Sequence, residues 1–346
     1  MLLSAIRQAI PLAAFFSTNL IMQIQTLNVS VQTLNWFDNK IVDWSRAGES
    51  YALTGETKQL NKYHFGYKFD SAINSKDGRY VFLFERLGTK GLLLKNGELL
   101  REINRSYYMA EVYNYPAAFV NYNERVYLAH CPINYCQLDF EDVETGELVT
   151  NIKARKPSDI FHSRLEVSSS EMYLMSKGWV WHPVDIINVF KIDDCFSDPQ
   201  LLDKIDYNFP DVGSEICTAS FIDDTKILVG SSDEIIDDEK ILNIPGKSFA
   251  IWNTIDNTFS NQNTPDFDFG NLFSISETLC WDTYKFPKVI DITTGQIIDK
   301  AEDIYSGEQK SSILFDTDKQ PQIAFDKDKK RLAIKQKDKV IIVTRE

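Results

Sequence analysis

The chain has 346 residues, of which 43% are hydrophobic, 12% aromatic and 25% charged, and its formal net charge at pH 7 is −13. This composition is that of a folded globular protein and excludes a disordered chain. The acidic excess argues against a nucleic-acid-binding surface and against attraction to anionic membranes, and it favours basic partners. The apolar runs are shorter than the roughly 20 residues of a membrane-spanning helix, so we expect no membrane insertion.

Residues 1–21 form a poorly defined N-terminal extension. One cation, Arg7, precedes an apolar run over Ile10–Phe16, an arrangement similar to a secretory signal, although Pro11 interrupts the run. Two interpretations stay open. The extension is either a weak signal, which implies a secreted or periplasmic protein, or the product of a start placed too early, with translation beginning at Met22.

The cysteines indicate the redox compartment. They are odd in number and scattered along a large chain, which is not the pattern of a disulfide framework. We therefore expect a reducing, cytoplasmic location. The five are Cys131, Cys136, Cys195, Cys217 and Cys280.

A hairpin pattern repeats along the chain. In its clearest copy, Ile73–Phe84, two apolar strands flank a polar turn at Asp77-Gly78. The copies are separated by 39, 46, 46, 54, 54 and 51 residues, close to the roughly 40 to 50 residues of a propeller blade. Their turns are centred on Asp38, Asp77, Asn123, Ser169, Asp223, Glu277 and Asp328.

A second hairpin follows several of these turns, which gives four strands per period. Its copies are Leu92–Leu100, Leu138–Val149 and Val289–Ile298. From about residue 24 to 346 the chain resembles the WD40-like β-propeller superfamily. The resemblance is clearest at Ser75–Tyr80 and Asp291–Gln296. The resemblance implies an all-β β-propeller of seven blades, each of four antiparallel strands, as one domain over residues 22–346. Six or eight blades stay open.

The two ends of the chain are predicted to meet in the last blade. The final copy offers only three strands, at 322–325, 331–335 and 340–344. The alternating run over residues 24–34 has no hairpin partner of its own. We predict that it supplies the missing outer strand and closes the ring.

The loops of a propeller divide into two faces. With the strands of each blade lettered a to d from the axis outward, the a–b and c–d turns share one face, and the b–c and d–a loops share the other. Here the first set is short, whereas the second set carries aromatic, histidine and acidic residues, which favours a recognition surface. The candidate binding residues are Tyr107, Tyr108, Tyr113, Tyr115, His130, Tyr135, Trp179, Trp181, His182, Asp233, Glu234, Asp237, Asp238, Glu239 and Tyr284.

Structural explanations compete with binding for several candidates. Trp179 and Trp181 alternate as in a strand, so we expect at least one of them in the core. His130 stands near two cysteines but lacks a second metal-binding cluster, so buried thiols are favoured over zinc, and no metal or cofactor is expected. The acidic run over residues 233–239 is either a solvated loop or a docking site for a basic partner.

The sequence contains none of the short motifs of hydrolases, metalloproteases or nucleotide-binding proteins. We therefore favour a non-catalytic, monomeric protein-binding module, such as a bacterial adaptor or a toxin-neutralising (immunity-type) protein. The alternative is a propeller hydrolase or lyase that acts on a carbohydrate or small molecule at the central opening. Such an enzyme needs two acids, or an acid and a histidine, within about 10 Å in a concave pocket.

Overall fold

The computed structural model describes residues 21–205, 207–210, 212–237, 244–314 and 320–345. They form seven small antiparallel sheets, and the predicted seven-bladed β-propeller is confirmed. Blade 1 consists of β2 (Asn35–Phe37), β3 (Lys40–Asp43), β4 (Glu49–Tyr51) and β5 (Thr57–Gln59). Blade 2 consists of β6 (Ser71–Asn74), β7 (Tyr80–Phe84), β8 (Lys90–Lys95) and β9 (Glu98–Asn104). Blade 3 consists of β10 (Ala117–Tyr122), β11 (Arg125–His130) and β12 (Asp139–Asp142), with a further bridge between Glu141 and Leu148.

Blades 4 to 7 follow in chain order. Blade 4 consists of β13 (Ile160–Phe161), β14 (Glu166–Val167), β15 (Tyr173–Val180) and β16 (Val184–Lys191), followed by α1 (Ile192–Ser197) and a 3-10 helix, η1 (Pro199–Asp203). Blade 5 consists of β17 (Ser214–Phe221), β18 (Lys226–Ile235), β19 (Phe249–Asn253) and β20 (Thr258–Asn263). Blade 6 consists of β21 (Leu272–Ser274), β22 (Leu279–Asp282), β23 (Lys288–Asp291) and β24 (Gln296–Lys300). Blade 7 consists of β25 (Ile323–Asp326), β26 (Arg331–Lys335), β27 (Val340–Arg345) and, as its outer strand, β1 (Met22–Leu27).

All seven predicted turns lie between the inner strand of a blade and the next strand outward; in blade 4 the inner strand is split into β13 and β14, and the turn at Ser169 lies between β14 and β15. Their residue types explain why the chain reverses there, because Asn, Asp and Gly tolerate the left-handed conformation that tight hairpins need. Asp38 and Asn39 have φ of 48° and 62°, and Asn123 has φ of 47°. Gly78 has φ of 69° and lies against the Phe37 ring of blade 1, which leaves no room for a Cβ.

The N-terminal strand closes the ring, as predicted. β1 pairs antiparallel with β27, from Met22 opposite Arg345 to Leu27 opposite Val340. The strand is shorter than the predicted run over residues 24–34. Asp43 explains the difference, because its carboxylate accepts hydrogen bonds from the backbone N–H groups of Gln32 and Thr33 and draws that segment away from the sheet edge.

The core is divided among the interfaces between neighbouring blades. Seven clusters of buried apolar side chains join each consecutive pair of blades, including the last to the first. Two tryptophans add hydrogen bonds across these interfaces. The Trp281 indole N–H donates to the Lys330 carbonyl at 2.8 Å, and the Trp36 indole N–H donates to the Ala324 carbonyl at 3.0 Å. Packing of this kind fixes the loops of neighbouring blades relative to one another.

A long connection between blades 6 and 7 crosses the ring on the face of the b–c and d–a loops. We call residues 306–314 the strap. Gln309 accepts a hydrogen bond from Asn271 of blade 6 at 3.0 Å, and Ile313 forms an antiparallel bridge with Tyr113, which precedes blade 3. The strap therefore spans the axial end of the ring on this face. No helix among the described residues is long and apolar enough to cross a membrane.

Candidate functional site

An exposed apolar surface lies on the face of the b–c and d–a loops, over blades 3 and 4. We call Tyr107, Tyr108, Trp181 and the neighbouring Ile133 the aromatic patch, and these residues are 85%, 41%, 42% and 45% exposed. They come from three loops: the β9–β10 connection, the β11–β12 loop and the β15–β16 turn. Apolar side chains exposed together in this way mark a site of interaction.

A stacked aromatic layer supports the patch from below. Phe161 and Trp179 are directly opposite in the β13–β15 pair, and their rings stack with centroids 3.8 Å apart. Trp181 meets the Phe161 ring edge-on at 5.5 Å, and Tyr135 stacks on the same ring at 4.5 Å. Because these contacts fix the rings before any partner arrives, little side-chain entropy remains to be lost on binding.

Arg105 organises the loop that carries Tyr107 and Tyr108. Its guanidinium donates to the carbonyls of Ala110 at 2.7 Å and Tyr113 at 2.9 Å, and it lies 4.4 Å from the centre of the Tyr113 ring. Burial lowers the pKa of Arg105, and the surrounding carbonyls satisfy its donors. Sequence reasoning missed this residue, because a single arginine at the end of a strand carries no pattern.

Four of the predicted binding residues are buried and so lie beneath the surface instead of on it. Tyr113 and Trp179 belong to the aromatic layer under the patch. Tyr115 packs against Phe82 in the interface between blades 2 and 3. His130 ends β11 and is buried as well. The expectation that at least one of the two tryptophans is in the core is met by Trp179, while Trp181 is exposed.

His130 takes part in a buried ionic network. Its Nε2 lies 2.8 Å from a Glu141 carboxylate oxygen, and Arg101 Nε donates to the other oxygen at 2.8 Å. Burial opposes ionisation of Glu141, but the hydrogen bonds from His130 and Arg101 outweigh it and lower the pKa of this carboxyl. The network links blade 2 to blade 3, so His130 has a structural role here.

His182 occupies the tip of the turn that carries Trp181. It is exposed, and its φ of 94° is unusual for a residue with a side chain. The turn is short because Val180 still pairs with Val184. Trp181 is thereby held at the outer end of a rigid two-stranded ribbon.

The acidic run lies next to this turn. Glu215 joins the two, since one of its carboxylate oxygens accepts from the Asp185 backbone N–H at 2.7 Å and the other accepts from the Ser232 hydroxyl. Asp233 and Glu234 are exposed, and Asp233 forms an ion pair with Lys247 at 3.2 Å. Asp237 is also described, whereas the predicted Asp238 and Glu239 lie outside the described residues.

Tyr284 stands apart from the aromatic patch. It is half-buried in the β22–β23 loop of blade 6, with the Lys310 ammonium 4.5 Å from the centre of its ring. Lys310 in turn forms an ion pair with Asp268 at 3.0 Å. Tyr284 thus shares the face of the patch but borders the opposite end of the strap.

Four of the five cysteines are buried, and Cys136 is half-buried. Burial raises the pKa of Cys131 and of Cys280, which keeps both thiols protonated and unreactive at neutral pH. All five cysteines are free. Among the residues that the structure describes, no group of three or more His, Cys, Asp or Glu side chains could hold a metal ion.

A cavity of about 670 Å³ occupies the axis of the ring and is lined by residues from the inner strands of all seven blades. Its charged side chains include Arg86, Arg164 and a buried ion pair between Lys177 and Glu166 at 2.6 Å. Sequence reasoning singled out none of these residues. The sequence gives one indication of the strap that crosses the end of this cavity, namely the long segment without a strand pattern between Lys300 and Gln322.

Comparisons with known proteins agree on the fold. Neither a protein-family model nor a curated protein matches the chain. A chain of the crystal structure of the mitotic checkpoint complex aligns with a TM-score of 0.55 at 10% identity, over 99% of this chain and 96% of that chain. A streptogramin B lyase structure aligns with a TM-score of 0.53 at 11% identity, over 94% and 98%. Together with the seven sheets, these similarities show the fold, a seven-bladed β-propeller.

Proposed function

We propose that the protein is a non-catalytic binding module whose aromatic patch contacts another protein. The observation that carries the proposal is the exposure of Trp181 and Tyr108 on a rigid stacked layer that includes Phe161. Tryptophan and tyrosine dominate the binding energy of protein interfaces, because each offers a large apolar surface and a polar group at low entropic cost. A propeller fold also suits such a module, because its closed ring holds several loops in one fixed arrangement.

The acidic run beside the patch supports a basic partner. Asp233 and Glu234 extend from the rim next to the Trp181 turn, in a chain of net charge −13. Rim charges mainly accelerate association and select the partner, while the buried aromatic contacts set the lifetime of the complex. An adaptor subunit or a toxin-neutralising protein fits this chemistry. The similarity to a chain of the mitotic checkpoint complex, a protein assembly, is consistent with it.

The alternative, a hydrolase or lyase at the central opening, has a fold match in the streptogramin B lyase structure. The state of Glu166, a buried carboxylate of the cavity, does not favour it. Glu166 faces Lys177 at 2.6 Å and Lys327 at 3.8 Å, and despite burial these ammonium groups lower the pKa of Glu166. A general acid needs a pKa raised toward neutrality. No histidine is among the described residues that line the cavity.

A cytoplasmic location and a monomeric state complete the proposal. Five free cysteines among the described residues suit a reducing compartment. Pairing of β1 with β27 leaves the ring without a missing strand that a second copy would have to supply.

The proposal is tested by affinity capture with wild-type protein and a Tyr108→Ala, Trp181→Ala double variant. The matched control is Ile255→Ala, which removes an apolar side chain that is 73% exposed on the opposite face, in the β19–β20 turn. We expect a stoichiometric partner to bind wild type and control, and to bind the double variant more weakly by roughly 2 kcal/mol or more. A partner that binds all three proteins equally would contradict the proposal.

A further inference from the structure

The strap crosses one end of the axial cavity, and the a–b turns surround its other end. Ser306 and Gln309 of the strap line it on the face of the aromatic patch. At the other end its lining includes Lys76, Glu171 and Lys327, in the a–b turns, and their side chains are 77%, 29% and 39% exposed. Solvent therefore reaches the cavity from the face opposite the patch. Its volume of about 670 Å³ is that of a site for a small molecule.

Arg86 lies at the strap end of the cavity, and one of its guanidinium nitrogens lacks a hydrogen-bond partner. Its Nη2 donates to the Gln320 carbonyl at 3.2 Å, whereas its Nε is buried and has no partner among the described residues. The neighbouring Asp70 directs one carboxylate oxygen to the backbone N–H of Arg86, at 2.6 Å. A buried N–H of a charged group without a partner is costly, so a ligand that accepts from it would be favoured.

Two acceptors without partners accompany Arg86. The side-chain carbonyl oxygens of Asn114 and Gln322 are buried and unpaired, and both residues line the cavity. They would accept hydrogen bonds from hydroxyl or amino groups of a ligand. The polar groups around the cavity thus match a small molecule with an anionic group and additional donors.

The other cations of the cavity are already engaged. Lys177 pairs with Glu166, and Lys76 lies 3.9 Å from Glu171. All three guanidinium nitrogens of Arg164 donate to protein acceptors, namely the carbonyls of Lys177 and Cys217, the Asn271 side-chain oxygen and the Ser312 hydroxyl. The charge of Asp70 also acts on Arg86, but Arg86 is the cavity cation that keeps a buried guanidinium N–H without a partner among the described residues, so a ligand acceptor is favoured there.

We propose that the axial cavity binds a small anionic molecule, whose phosphate or carboxylate group is held by Arg86 and whose hydroxyl or amino groups bind Asn114 and Gln322. The ligand enters between the a–b turns, on the face opposite the aromatic patch. This site is independent of the protein-binding surface, so either one can exist without the other.

The test is titration of the full chain with inorganic phosphate and, separately, with citrate, at constant ionic strength set by sodium chloride. Calorimetry and thermal unfolding are measured on wild type, on Arg86→Met and on the control Arg79→Met, which removes an exposed cation outside the cavity. We expect saturable binding and a higher melting temperature for wild type and control, and at least a tenfold loss of affinity in Arg86→Met. The anion that binds more tightly distinguishes a phosphate from a carboxylate ligand.

A second variant, Ser169→Trp, tests the same site without altering Arg86, in case Arg86→Met does not fold. Ser169 is exposed in the a–b turn of blade 4 and lines the cavity at its open end. Ser169→Trp leaves Arg86 untouched and narrows the entrance, so we expect weaker binding of both anions to this variant. The proposal is overturned if wild type binds neither anion saturably, or if every folded variant binds as wild type does.

Discussion

The backbone N–H of Ser312 donates to Asp185, which lies 127 residues earlier in the chain. The Ser312 nitrogen is 3.0 Å from each of the two carboxylate oxygens. The Ser312 hydroxyl also lies within hydrogen-bond distance of Asp185 and of the Gly178 carbonyl, and it accepts from Arg164 at 3.1 Å. All of these groups are buried or half-buried. This junction fastens the strap to blade 4, directly behind the turn that carries Trp181.

Removing the Ser312 hydroxyl should loosen the strap. Ser312→Ala removes the acceptor of one Arg164 hydrogen bond and the single hydroxyl donor that Asp185 and the Gly178 carbonyl share, so we expect the free energy of unfolding to fall by about 1 to 3 kcal/mol. Hydrogen exchange should accelerate over residues 306–314. The control, Ser197→Ala on the exposed side of α1, should change stability by less than about 0.5 kcal/mol. Equal exchange in both variants would contradict the role of the junction.

His162 should make the protein less stable in acid. It is buried, with Nδ1 3.0 Å from the Ser176 hydroxyl, and burial together with the charge of Arg155 lowers its pKa to about 3. In the unfolded chain the imidazole titrates near its ordinary pKa of 6.5. Between these values only the unfolded state binds the proton, so stability is lost as pH falls, by up to about 1.4 kcal/mol per pH unit.

The measurement is urea unfolding of wild type and His162→Gln at several pH values between about 4 and 7. Subtracting the two curves removes the contribution of the other titrating groups. We expect the difference in stability to shrink steadily as pH falls, because wild type alone carries the cost of keeping His162 neutral. A difference that does not vary with pH would show that the buried imidazole is protonated as readily as in the unfolded chain.

The two tryptophans of the β15–β16 ribbon should respond differently to the same substitution. Trp179 is buried against Phe161, so Trp179→Ala should lower stability by about 3 to 5 kcal/mol. Trp181 is 42% exposed, so Trp181→Ala should lower it by roughly 1 kcal/mol or less. Chemical unfolding of both variants provides the comparison. If the two substitutions cost the same, Trp181 belongs to the core and does not form the aromatic patch.

The architecture could be predicted from the sequence because its signals are local. Each a–b turn is marked by residues that reverse the chain within a few positions, such as Asp38-Asn39 and Asp77-Gly78, and apolar strands flank each of them. Closure of the ring could be predicted because the last repeat has only three strands and the N-terminal segment has one strand without a hairpin partner. The split of the inner strand of blade 4 into β13 and β14 could not be predicted, because it depends on Arg164, with φ of 44°, and on its partners in distant blades.

Loss of the closing strand should destabilise the whole ring. A chain that begins at Asn28 lacks β1, which exposes the backbone of β27 and the apolar side chains of Leu332 and Val343. We expect a lower melting temperature and aggregation through the open edge. A chain that begins at Ile21 keeps β1 and serves as the control. An identical melting curve for the two chains would contradict closure by β1.

The candidate site was predicted less completely than the fold. The sequence placed the aromatic loops on one face of the ring, but alternation alone could not tell Trp179 from Trp181, since both point to the same side of the ribbon. The difference arises because Phe161 covers one ring and the chain reverses beyond the other. The strap acts through contacts with segments remote in sequence, such as that between Ser312 and Asp185. A single sequence does not encode such contacts in any local pattern.

Photo-crosslinking to the captured partner tests most directly whether the aromatic patch is the binding surface. A photoreactive amino acid replaces Trp181 in one variant and Ile255, on the opposite face, in another. The proposal predicts crosslinks to the partner from position 181, which disappear in excess unlabelled wild type, and none from position 255. Crosslinks from position 255 with none from position 181 would place the interface on the other face and contradict the proposed function.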